Sequence, residues 1–333
     1  MTTSDPALGA DLMRRATEAD CCCGPDRGLL TLLREDAPIY RGRGATEAER
    51  LRAFVLECVS RAGLASEAVA FIREDLETSL DPYPVAAAAR AIRHLAEPPP
   101  DIADVLRRAA SRIKFVDENV CLDVYPPPQA VDGPSALAEV MATLTALGDA
   151  TPRTAPPAPE VERPVVSLAD LRDVELEDQD GALTTLGQLV LGRPSVIAFF
   201  YTRCMNPNKC SRTIGQLGAL HDLVADTGAV IAGISYDPAY DLPARLRRYG
   251  EDRGFRFGPN GRLLRSIGSF EPIQQALRLG VGYGAATVNR HAVELFVANP
   301  DGRLVAFRQR ELWDEQDVAE AVRRAVPLPR AAQ

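Results

Sequence analysis

At 333 residues the chain is long for one domain, and 46% hydrophobic with 25% charged residues suits a soluble globular protein with a substantial core. A net charge of −8 argues against a broad nucleic-acid-binding face or a polybasic membrane patch. No run approaches the ~18 apolar residues that span a bilayer, and Met1 to Asp20 has no signal-like apolar region, so the expectation is a cytoplasmic protein with no membrane span, whose seven cysteines serve as thiols or metal ligands.

Cys21-Cys22-Cys23, followed by Gly24-Pro25, reads as a loop of exposed, inert thiols; three adjacent side chains cannot converge on one metal from a regular helix, although a loop would let two of them do so. From there to residue 150 the pattern is helical. Leu51, Phe54, Val55 and Cys58 fall at i, i+3, i+4 and i+7, one face of a helix, and place Cys58 in a core. Helices follow at Glu67 to Thr78, with Ser66 available as N-cap, and at Ala86 to Ala96, with His94 at its end. Two more are expected at Asp101 to Ile113 and Ser135 to Leu147, and Cys121, near Phe115, Val116 and Leu122, is expected to be buried. Asp81-Pro82-Tyr83-Pro84-Val85 before four alanines resembles the start of a HEAT-repeat helix; a plain helical bundle satisfies the same pattern.

Residues 151–166, TPRTAPPAPEVERPVV, have neither helical nor strand period and read as a semi-rigid proline-rich linker. They divide the chain into an all-α domain, 1–150, and a second domain, 167–333.

In the second domain strands alternate with helices. Glu175 to Asp178 reads as a strand with a turn at Gln179-Asp180-Gly181, and Val196 to Tyr201 is an apolar run suited to a strand buried on both faces. A helix follows from about Ser211 to Asp226, with His221 packed or half-exposed on it. Then come a strand at Ala229 to Tyr236 and a helix from Asp241 to Arg253. Asp241 reads as its N-cap, with Pro243 in the first turn, and Asp237 as a turn residue or a wall of the site. Val293 to Ala298 and Arg303 to Phe307 flank the hairpin signal Asn299-Pro300-Asp301-Gly302, and Glu315 to Val326 is a last helix. This order makes an α/β sandwich around a mixed sheet and fits thioredoxin topology.

The loop Thr202 to Cys210, TRCMNPNKC, sits where a buried strand hands over to a helix. Helix-terminal N–H groups and the flanking Arg203 and Lys209 are expected to lower a thiol pKa there. Cys204 and Cys210 can face each other across that loop, to close a disulfide or to clamp a soft metal. Zinc is the poorer choice, because it wants four ligands and the domain offers two cysteines and two histidines, His221 and His291. Peroxiredoxin chemistry is disfavoured, because Thr202 lies two rather than three residues before Cys204 and no proline precedes it.

Four blocks carry a family resemblance: Asp178-Gln179-Asp180-Gly181; Phe199-Phe200-Tyr201-Thr202-Arg203-Cys204; Ile234-Ser235-Tyr236-Asp237-Pro238 with Asp241-Leu242-Pro243; and Val288-Asn289-Arg290-His291-Ala292. In this order they resemble the Sco/SenC family, thioredoxin-fold copper proteins linked to cytochrome c oxidase assembly. The resemblance implies a copper ion held by Cys204, Cys210 and His291. Two thiolates and an imidazole are a soft donor set suited to Cu(I). The family usually places three residues between its cysteines and this loop has five, and the helical domain is not part of the usual family architecture. Three functions follow as expectations: a copper-binding protein that passes the ion to a protein partner or senses it; a thiol–disulfide oxidoreductase in which Cys204 and Cys210 are catalytic, acting on a redox client; and a helical partner-binding protein with a redox- or copper-responsive attachment.

Overall fold

A computed structural model of the protein describes residues 5–18, 24–148 and 167–326; Cys21-Cys22-Cys23 and the proline-rich stretch 151–166 lie outside them. The chain forms two compact units, and they are not consecutive halves: one is Met1–Glu160 with Gly280–His291, the other Val161–Leu279 with Ala292–Gln333.

The N-terminal unit is built on α1 (Asp5–Thr17), α2 (Ala45–Arg61), α3 (Val69–Thr78), α4 (Pro82–Ile92), α5 (Ile102–Ile113) and α6 (Ala136–Gly148). The α2 face read from the 3.6-residue period, Leu51, Phe54, Val55 and Cys58, is buried. Helix α4 packs against α2, α3 and α6, and its run Ala86 to Ala89 is wholly buried, small side chains letting neighbouring helices approach. It starts earlier than the alanines suggest. The Asp81 carboxylate accepts the Tyr83 N–H at 2.9 Å, and Pro82 and Pro84 occupy the first turn, where a missing N–H costs nothing. Ser66 is not the cap of α3: a 3₁₀ turn over Ala65–Ala68 precedes that helix and Ala68 stands at its N-cap.

The C-terminal unit is thioredoxin-like. Its strands are β1 (Glu175–Asp178), β2 (Leu183–Thr185), β3 (Ser195–Phe200), β4 (Val230–Ser235) and β5 (Gly261–Ser266). Helices α7 (Arg212–Leu223), α8 (Pro243–Glu251) and α9 (Glu271–Leu277) are interspersed. After α9 the chain makes a hairpin, β6 (Val281–Tyr283) and β7 (Val288–His291), which belongs to the N-terminal unit. It then returns for β8 (Glu294–Ala298), β9 (Leu304–Gln309) and α10 (Glu315–Ala325). One seven-stranded mixed sheet has the order β2-β1-β5-β4-β3-β8-β9, with β3, β4 and β5 parallel and the flanking pairs antiparallel. Every residue of β3 and β4 is buried, as expected for central strands covered on both faces. Phe199 stacks on Tyr236 and meets Phe296 edge-on in the core beside them.

Strand β5, helix α9 and the β6–β7 hairpin have no counterpart in the sequence reading. GRLLRS has adjacent leucines between arginines and no clean period of two, and its pairing with β4 and β1 is what makes it a strand. Among the described residues no helix is long and apolar enough to cross a membrane.

Candidate metal centre

Strand β3 ends at Phe200, and the loop that follows leaves at the carboxyl end of the parallel strands with Cys204 on it. The Asn206 side chain accepts the Asn208 N–H at 2.9 Å and opens a π-helical turn, Pro207–Ser211, which carries Cys210 into α7. Asp241 fixes the near end of the loop. Fully buried, it accepts the Thr202 N–H at 3.0 Å, the Thr202 hydroxyl and the Ser235 hydroxyl at 2.5 Å. Burial raises its pKa against the lowering influence of those donors. The N-cap role expected for Asp241 is therefore corrected: Leu242 stands at the N-cap of α8, and Asp241 spends its acceptors on the cysteine loop.

Arg203, one residue before Cys204, pairs with an acidic side chain beside the loop. Its Nε donates to Asp237 at 3.0 Å, a second guanidinium nitrogen bonds the same carboxylate, and its plane lies 4.0 Å over the Tyr240 ring. Asp237 in turn receives its own backbone orientation from the Ser235 hydroxyl, which accepts the Asp237 N–H at 2.9 Å. Cys210 is not a low-pKa thiolate. It is buried, and burial followed by the adjacent Cys204 thiol pushes its pKa well above the ordinary value, with Lys209 pulling back only weakly. Cys204 is half-buried, with Sγ 3.7 Å from the Asn206 carbonyl oxygen. Tyr201 is buried next to both thiols, and burial and those thiols raise its pKa too.

His291, the last residue of β7, is paired in register with Val281 and is 4% exposed. One sulfur from each cysteine and a ring nitrogen of His291 all lie within 4.8 Å of one another, and this is the one such cluster of three among the described residues. Donors sharing one ion through bonds of about 2.0–2.3 Å are at most about 4.6 Å apart, so ligation needs only small adjustments. The chemistry also fits: two sulfurs and one imidazole suit a soft ion of low coordination number. The remaining candidates stay apart. His221 is half-buried on α7, His94 is exposed just beyond α4, and Cys58 is buried on α2 with its thiol pushed up to about 12 by burial. Cys121 is half-buried, where the sequence suggested full burial.

Sequence reasoning missed Tyr201 and Tyr240 as neighbours of the site. Tyr201 closes an apolar strand and looks like core; Tyr240 gave no local signal, because its role is to stack on an arginine 37 positions earlier in the chain.

Residues 171–327 match the SCO1/SenC family. No curated protein matches the chain by sequence. Among solved structures, Bradyrhizobium japonicum ScoI with copper bound is similar at 23% identity over 46% of this chain and 96% of that one, TM-score 0.37. Yeast Sco1 with copper bound is similar at 25% identity, 50% and 94% coverage, and TM-score 0.36. A SCO1/SenC family lipoprotein from Bacillus anthracis is similar at 18% identity, 47% and 96% coverage, and TM-score 0.41.

Proposed function

With residues 171–327 matching the SCO1/SenC family, we propose that this protein binds one copper ion through Cys204, Cys210 and His291 and delivers it to a protein acceptor or senses it. The observation that carries the reading is the convergence of two sulfurs and one imidazole nitrogen within 4.8 Å. Copper supplies a soft acceptor for that donor set. On loading, Cys204 and Cys210 give up their protons and His291 presents a neutral ring nitrogen. Burial of Cys210 holds water away from one sulfur, while the part-exposed Cys204 and the exposed Met205 beside it leave an approach for an acceptor's own ligands.

Titration of the reduced chain with Cu(I) against a competing chelator tests this. Wild type binds one equivalent, and Cys204→Ser, Cys210→Ser and His291→Ala each lose at least tenfold in affinity. Weak binding by wild type, or no effect of His291→Ala, sinks the proposal.

One observation favours a second reading. A part-exposed thiol beside a buried one suits an attacking and a resolving cysteine, in which Cys204 attacks a client disulfide and Cys210 displaces the reduced client. A reduction potential for the Cys204/Cys210 couple near that of cellular thiol pools, together with client reduction abolished in Cys204→Ser, supports it over copper binding.

A further inference from the structure

The N-terminal unit contains a buried cluster of charges with no part in the copper chemistry just described. Arg52 on α2, Glu35 in the loop before it and Asp75 on α3 are at most 1% exposed, and Arg290 on β7 joins them at 4%. Arg290 bonds Asp75 at 2.5 Å, pairs with Glu49 of α2, and lies 3.8 Å from Glu35. Arg52 reaches the other oxygen of Asp75 at 3.2 Å and Glu35 at 3.3 Å, so the two arginines share two carboxylates. The hairpin is tied down a second time. Asn289 donates to the carbonyls of Tyr40 at 2.9 Å and Arg43 at 3.1 Å, and the Gly42 N–H donates to Tyr283 at 3.0 Å.

Burying four charges costs several kcal/mol per ion before their mutual attraction returns it, which makes the cluster a poor device for stability alone. Its effect is directional. A guanidinium is a rigid planar fork, and carboxylates placed around it fix the side chain and the backbone it hangs from. The next residue in the chain is His291, whose Cα is about 3.8 Å along the backbone. All the groups that clamp Arg290 belong to the same compact unit as the β6–β7 hairpin.

We infer that Arg290 is a positioning residue: held by Glu35, Glu49 and Asp75 of the helical unit, it fixes the strand that presents His291 for metal binding. Glu35, Glu49 and Asp75 then act on the ligand next to Arg290 through its backbone. This rests on the copper reading for its consequence and on the ion cluster for its mechanism, and the two are separable by experiment.

The full chain is examined as wild type, Glu49→Gln, Arg290→Gln, His291→Ala and the Glu49→Gln/His291→Ala double variant. Glu49 is the most exposed member of the clamp, so its variant carries the test if Arg290→Gln does not fold. In the metal-free state, amide exchange read by mass spectrometry is expected to quicken over residues 281–291 in Glu49→Gln and Arg290→Gln, with circular dichroism unchanged. With Cu(I) and a competing chelator, Glu49→Gln is expected to lose about tenfold in affinity, the usual scale for a group that orients a ligand. In the His291→Ala background it adds no further loss. The Cu(II) form is expected to lose definition in the nitrogen coupling of its EPR spectrum. Folded variants with wild-type exchange, affinity and spectrum overturn the inference, as does an undiminished Glu49→Gln penalty without His291. If wild type binds no copper, the copper reading falls, and the clamp is decided by exchange alone: faster exchange confined to 281–291 upholds it and unchanged exchange refutes it.

Discussion

Replacing Asp241 tests how the cysteine loop is held. The carboxylate accepts three hydrogen bonds in a fully buried position, from the Thr202 N–H, the Thr202 hydroxyl and the Ser235 hydroxyl. Asp241→Ala leaves three donors without that acceptor, at about 1–3 kcal/mol for each that water cannot reach. The ionised carboxylate is itself disfavoured by burial, as its raised pKa records, so part of that loss is returned when the charge is removed. The expected net cost is about 3–5 kcal/mol for Asp241→Ala. Asp241→Asn keeps one oxygen for the Thr202 N–H, and its amide can donate to a hydroxyl that rotates to accept, so its cost is about 1–2 kcal/mol. Urea unfolding followed by fluorescence and by exchange of β3 amides measures both. Because Thr202 is two residues from Cys204, Asp241→Ala is also expected to speed alkylation of the reduced Cys204 severalfold, and Asp241→Asn to leave it near wild type. Equal stability of the two variants, within about 0.5 kcal/mol, would falsify the claim that this carboxylate anchors the loop.

Three further outcomes follow from other positions. Burial, with the neighbouring Glu49 and Glu118, raises the pKa of Asp81 to about 6. The native state therefore binds a proton more tightly than the unfolded chain, and stability falls as pH rises from about 4 to 6. Asp81→Asn keeps the cap of α4 and should flatten that slope in thermal melts; an unchanged slope counts against the assignment. At Gly282 an added methyl group would run into the Glu35 carbonyl oxygen and lie 2.9 Å from Asn289 Oδ1. Gly282→Ala is expected to cost about 1–3 kcal/mol by denaturant titration and to quicken exchange over the hairpin, whereas wild-type stability would show the approach to be looser than described. Because the Cys210 thiol titrates well above the ordinary range, it is protonated at neutral pH and must release its proton to ligate. Copper affinity is accordingly expected to rise with pH, with buffer-dependent heats in calorimetry; a flat profile from pH 6 to 8 contradicts the role given to Cys210.

Much of the architecture is legible in local pattern. Leu51, Phe54, Val55 and Cys58 announce a helix by their period, and the unbroken apolar run before Tyr201 announces a central strand, because a segment's own side chains decide which face it must bury. The ligand candidates are legible too: Cys204 and Cys210 fall in a loop after an apolar strand run, and the family resemblance adds His291, all three being residues that bind soft metals. What local pattern omits is what distant segments impose. Asp241 looks like a cap, and only the loop 39 positions earlier makes it an anchor. Cys210 sits beside a lysine, yet packing decides its protonation, because desolvation outweighs a neighbouring charge that stays weakly coupled.

Local pattern separates a helical first half from a second half of alternating strands and helices, and marks three soft donors in the latter. Long-range packing is what groups residues 280–291, in the second half by order, with the first. Arg290 pairs with carboxylates 215 and 241 positions away, on helices whose period explains their apolar faces and says nothing of what their buried charges meet. An ion pair has no period. It depends on which segments the whole fold brings together, and that is not written in any one of them.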